Sequence, residues 1–126
     1  MAKRILIIED DLDILEILDI ILLDEGYEVI PISKGLSAPE IELLHPDLIL
    51  LDFRISGYDK TGAQICQELK SISTTSAIPV LLVSAESNLA FIANNCCADG
   101  YVSKPFDLLG IVAKVSDMLS KKDELH

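Results

Sequence analysis

Basic side chains are scarce: ten lysines and arginines stand against twenty-one aspartates and glutamates, a net charge of −11, with an isoelectric point near 4.4. Such a surface repels phosphate backbones and anionic lipid, so neither direct nucleic-acid contact nor membrane binding is expected. Cysteine is scarce as well. Cys66, Cys96 and Cys97 are odd in number and include an adjacent pair, which is neither a disulfide framework nor a spaced set of metal ligands. Buried thiols are the default reading for all three. No apolar run approaches the roughly 18 residues of a membrane span. The N-terminal Met-Ala-Lys-Arg leads into an apolar stretch too short for the core of a secretory signal, and no small-residue cleavage site follows. A cytoplasmic protein is expected. With 126 residues, half of them apolar, the chain fits one compact domain over 1–126 and leaves no room for a second.

What is present is a regular alternation. Ile5-Leu6-Ile7-Ile8 is a short, continuous, β-branched apolar run ending at acids, which suits a strand buried on both faces of a parallel sheet. Four more such runs follow: Glu28–Ile30, Leu48–Leu51, Val80–Val83 and the weaker Gly100–Val102. Between them lie stretches of helical spacing over 12–25, 37–44, 60–72, 88–97 and 107–121, several closed by Gly, Pro or Asp. The Ser/Thr cluster at 71–76 reads as a plain loop. Strict alternation of strand and helix predicts an α/β fold, a (βα)5 doubly wound five-stranded parallel sheet with right-handed crossovers. Sites in such sheets form beyond the carboxyl ends of the strands.

Chemistry-bearing residues fall at those ends. Glu9, Asp10 and Asp11 follow the first strand, Asp52 the third, Ser84 the fourth and Lys104 the fifth. In the strand order 2-1-3-4-5 the first and third strands are neighbours, and Asp10 and Asp52 then converge on one cleft. Clustered carboxylates raise one another's pKa values unless a cation sits among them. Mg²⁺ answers that problem, because it prefers carboxylate, water and phosphate oxygens. Lys104 and the Ser84 hydroxyl would supply a cation and a donor for the oxygens of a transferred phosphoryl group. Taken singly, Ser84 reads as a loop hydroxyl and Lys104 as a solvated charge. Asp11 reads as a helix N-cap. Asp52 does not, since no helical pattern starts directly after it.

The segments Ile8-Glu9-Asp10-Asp11, Pro46-Asp47-Leu48-Ile49-Leu50-Leu51-Asp52, Val83-Ser84-Ala85 and Ala98 to Phe106 resemble the receiver domains of two-component signalling, in order and over nearly the whole chain. The resemblance implies a flavodoxin-like fold and a non-enzymatic phosphoacceptor that assists its own phosphorylation and dephosphorylation. It implies Mg²⁺ bound directly by Asp10 and Asp52, through water by Glu9, and by the backbone carbonyl of Arg54. Asp52 would be the phosphorylated aspartate, Ser84 and Lys104 would hold phosphoryl oxygens, Tyr101 would be the switch aromatic, and Pro105 would follow a cis peptide bond. The partner would be a histidine kinase or a histidine phosphotransfer protein, and a phosphorylation-dependent dimer through the fourth helix, last strand and fifth helix is open. The sequence does not separate a switch from a phosphorelay shuttle that passes the group to another histidine. A phosphatase working through phosphoaspartate would show a second Asp just after the nucleophile, where Arg54 stands instead.

Two departures from the family pattern stand out. The stretch after Asp52, with Ser56 before Gly57 and then Tyr58-Asp59-Lys60-Thr61-Gly62, is longer than the common Asp-Gly turn, and Cys97 takes a position where Gly is frequent. Arg54 and Glu86, each two residues past a site residue, are expected at the rim. There they either bridge the opening and gate water or stand unpaired in solvent. On the first helix, a turn of 100° per residue groups Ile14, Leu15, Leu18, Ile21 and Leu22. Ile20 and Leu23 fall instead among Asp13, Glu16 and Asp19, exposed either as scattered surface residues or as a partner docking surface.

Overall fold

The computed structural model describes residues 2–124. Five strands, β1 (Arg4–Ile8), β2 (Glu28–Ile32), β3 (Leu48–Asp52), β4 (Val80–Ser84) and β5 (Gly100–Ser103), alternate with five helices. The helices are α1 (Leu12–Asp24), α2 (Ala38–Leu44), α3 (Gly62–Ser71), α4 (Leu89–Asn95) and α5 (Leu108–Glu124). All pairings are parallel and the order is β2-β1-β3-β4-β5, so the chain reverses its winding between β1 and β3. That reversal opens a crevice at the carboxyl ends of those two strands.

The apolar runs become strands because both of their faces are covered. Leu6, Ile8, Ile49, Leu51, Val80 and Leu82 turn toward α2, α3 and α4, where they meet Ile41, Ile65, Leu69 and Ala93. Their neighbours Ile5, Ile7, Leu48, Leu50, Leu81 and Val83 turn the other way, onto Leu15, Leu18 and Leu22 of α1 and Ile111 and Val115 of α5. Every residue of β3 and β4 is buried, Asp52 and Ser84 included. The period-two side-chain alternation of a strand thus feeds two cores from one uninterrupted apolar run. The edge strand β2 carries Pro31 opposite Ile7, tolerable where one side makes no ladder.

Caps fix where the helices begin. Asp11 accepts the N–H groups of Asp13 and Ile14, while Ser37 with Glu40 and Thr61 with Gln64 form reciprocal capping boxes. The α4 helix has no such side-chain cap; just past its C-cap Cys96 stands Cys97, whose φ of 61° lies in the left-handed region. Cys66 and Cys96 are buried as expected, but Cys97 is exposed. That corrects the default reading: a residue closing a helix in the left-handed conformation here points away from the core. The Ser/Thr cluster also departs from a plain loop, because Thr75 is buried and its hydroxyl donates to the carbonyl of Leu69 at 2.7 Å.

Candidate functional site

The ends of β1, β3, β4 and β5 deliver Glu9, Asp10, Asp52, Ser84 and Lys104 to one cleft of about 730 Å³, which Arg54 and Glu86 also line. Glu9, Asp52 and Ser84 are buried, and Asp10 is partly so. Lys104 reaches Glu9 Oε1 at 2.7 Å and Asp52 Oδ2 at 3.3 Å. The other Glu9 oxygen accepts the backbone N–H of Asp11, and Asp10 Oδ2 accepts that of Ser56 at 3.0 Å. The Ser84 hydroxyl oxygen accepts the N–H of Glu86 at 3.1 Å, which leaves its proton free to donate.

Burial pushes the Asp52 carboxyl up to about 7, helped by the neighbouring Glu9 and opposed by Lys104. Burial also acts to raise Asp10, but hydrogen bonds from Ser56, joined by those with Asp52 and its own backbone, together outweigh it and hold that carboxyl below its ordinary value. Burial disfavours the charged form of Lys104 too, and the two carboxylates prevail and raise its pKa. Three acids with one lysine therefore leave excess negative charge packed at the switch point. Glu9, Asp10 and Asp52 each offer a carboxylate oxygen, and these oxygens lie within 4.8 Å of one another. Hard oxygen donors at that spacing, with a nucleophilic carboxylate held in protonation conflict, fit a divalent cation of the Mg²⁺ type.

Arg54 Nε and Glu86 Oε1 are 2.5 Å apart, an ion pair between two residues that line the cleft. Tyr101 lies outside this cleft. It is half-exposed and borders a separate hollow of about 620 Å³ with Ala90, Asn94 and Lys114. Ile20 and Leu23 are exposed at 60% and 52%, as the helical wheel requires. The peptide bond before Pro105 is cis.

Three features escaped sequence reasoning. Leu12 and Ile17 are also exposed on α1. Ile14 and Ile17 join Ala85, Pro105, Phe106 and Leu108 to line an apolar groove of about 470 Å³ that touches Lys104. The Ser56 N–H on Asp10 is the third. Only the apolar pair Phe106 and Leu108 so close after Lys104 hinted at the groove; nothing in the sequence hinted at the Ser56 contact.

The response regulator receiver domain family matches residues 5–116. The DNA-binding response regulator MtrA of Mycolicibacterium paratuberculosis is 32% identical over 127 residues, covering 98% of this chain and 54% of that protein. The DNA-binding dual master transcriptional regulator RpaA of Synechocystis is 34% identical over 125 residues, covering 97% and 51%. The chain spans about half the length of the curated relatives it matches. A CheY-like receiver domain protein from Methanospirillum hungatei superposes with a TM-score of 0.84 at 25% identity, with both chains fully covered. A putative response regulator from Chloroflexus aurantiacus gives 0.80 at 25% identity, covering 95% of this chain and 99% of the other.

Proposed function

We propose a function from one premise: the chain belongs to the response regulator receiver domain family. It is a receiver domain of two-component signalling, in a family where phosphorylation-dependent switching is typical. Asp52 is the phosphoacceptor, residues 1–126 form a single receiver unit, and the donor is a histidine kinase or a histidine phosphotransfer protein. The observation that carries this reading is the Asp52 carboxylate, buried at the switch point between Lys104 and the acid pair.

An Asp52 oxygen attacks the phosphorus of a phosphohistidine; the new O–P bond forms as the P–N bond breaks, and the imidazole nitrogen leaves with the electron pair. Asp10, Asp52 and the Arg54 carbonyl would hold Mg²⁺, with Glu9 acting on it through water, and the ion would neutralise charge as the anionic donor approaches. Lys104 and the Ser84 hydroxyl take the transferred oxygens, for which Lys104 exchanges its present carboxylate partners. Ser84 moves toward the phosphoryl group and the Tyr101 ring turns inward, altering the surface of α4, β5 and α5, through which copies of the chain pair or a partner binds. The Arg54–Glu86 bridge limits the entry of hydrolytic water. Ile20 and Leu23 on α1 meet the donor protein. Residues 1–126 do not themselves contact DNA, because their net charge of −11 opposes it. In a longer protein built like the named relatives, that contact lies elsewhere.

Incubation with a small-molecule phosphodonor and Mg²⁺, followed by intact mass, tests the reading. One phosphoryl group should be gained, and it should be lost with chelator or in Asp52→Ala. Equal labelling of that variant overturns the assignment.

A further inference from the structure

Beyond Asp52 the chain runs through 53–61 before α3 begins, and two contacts hold this long loop. At its far end Gly62 lies against the acceptor's own backbone: a Cβ there would be 3.0 Å from Phe53 Cα and nearer still to the Asp52 carbonyl. In its middle, Ile55 to Tyr58 forms a turn closed by Tyr58 N–H to Ile55 carbonyl at 3.2 Å, with Gly57 at φ 76°. That positive φ at the third position is what a type II turn demands. The second residue of the turn is Ser56, whose N–H reaches Asp10 Oδ2 at 3.0 Å. Ile55 is buried, and the partly buried Tyr58 packs against the same core. The Tyr58 ring sits on Gly35 of the β2–α2 loop: a Cβ at Gly35 would be 2.6 Å from Tyr58 Cδ1, with Cγ and Cδ2 nearer still. Gly35 is thus glycine for want of space.

We propose that Tyr58, seated on Gly35, is a positioning residue for the cation pocket: the ring pins the Ile55–Tyr58 turn so that the Ser56 N–H stays on Asp10. The role rests on the phosphoacceptor reading above only for the identity of the ion. A carboxylate held by a backbone donor presents its free oxygen in one orientation, whereas a loop released from Gly35 lets both the donor and Asp10 wander. Outer residues that orient metal ligands typically change affinity by about 10–100-fold, and one hydrogen bond of this kind belongs at the lower end.

Mg²⁺ titration of the full chain by calorimetry, with amide NMR of Ser56, tests this. Tyr58→Ala and Gly35→Ala should each bind Mg²⁺ about tenfold more weakly, with the Ser56 amide shifted and exchanging faster. Tyr58→Phe keeps the ring and should bind as the parent does. In the double variant, Gly35→Ala should add nothing once the ring is gone. Should Tyr58→Ala fail to fold, Tyr58→Leu carries the same expectation. Undiminished Mg²⁺ affinity in the ring-less variant, or equal weakening by Tyr58→Phe, overturns the positioning role and leaves the phosphoacceptor reading intact. A parent chain that binds no Mg²⁺ overturns both.

Discussion

Replacing Asp52 by Asn should make the metal-free domain more stable at neutral pH, because the native carboxylate is held against its preference. Its carboxyl stands at about 7 in the fold against an ordinary 3.8, a rise of about three units at roughly 1.4 kcal/mol each, hence about 4 kcal/mol at most. The pKa is raised on folding, so the native state binds more protons than the unfolded chain between pH 4 and 7. The slope of stability with pH is therefore negative there. The stabilising contribution is whole below pH 4 and lost as pH rises through 7. An Asn carries no charge to desolvate, and its amide keeps a donor toward Glu9. In chelator, the gap between variant and parent should be small near pH 4 and widest above pH 7, where each kcal/mol moves the thermal midpoint by about 3–5 °C for a domain of this size. Mg²⁺ at a hundredfold excess over its Kd should return about 2.7 kcal/mol to the parent alone. Urea unfolding at several pH values, with and without Mg²⁺, reads this directly. A variant no more stable than the parent at pH 8, or a gap that does not widen with pH, refutes the reasoning.

Opening the rim by Arg54→Ala or Glu86→Ala should speed loss of the phosphoryl group by up to about fivefold, the scale of 1 kcal/mol available to an exposed pair; an unchanged dephosphorylation rate removes the gate. Ile20→Asp with Leu23→Asp should slow transfer from a donor protein by about tenfold or more, as apolar contact residues do, while small-molecule labelling continues. Transfer at full rate excludes that surface. Fluoroberyllate with Mg²⁺ should change hydrogen exchange across α4, β5 and Tyr101, and Ser84→Ala should weaken that response; changes confined to residues around Asp52 would describe a carrier without a switch.

The strands were legible because a parallel sheet buries both faces, so Ile5–Ile8, Leu48–Leu51 and Val80–Val83 appear as unbroken apolar runs whose carboxyl ends locate the site. Asp11 was legible as a cap because capping is local. Ile20 and Leu23 were legible because a helix repeats every 3.6 residues. What stayed hidden depends on residues far apart in the chain. Lys104 on Glu9 needs the side chain after β5 to reach past the ends of β4 and β3 to that of β1, and the apolar groove needs Ile14 and Ile17 to meet Phe106 and Leu108. The seat of Tyr58 on Gly35 joins two loops that no periodicity relates. Cys97 misled because burial is the rule for cysteine, whereas its backbone conformation at the end of α4 decided its exposure.

The central claim is that the phosphoryl group resides on one carboxylate, and borohydride reduction tests it most directly. An acyl phosphate is reduced to an alcohol, so peptide mass spectrometry of the chain labelled with a phosphodonor and Mg²⁺ should find homoserine in place of Asp52. Asp10, Asp11 and Glu9 should be untouched. Reduction at any of those three, or a labelled chain with Asp52 intact, would contradict the account.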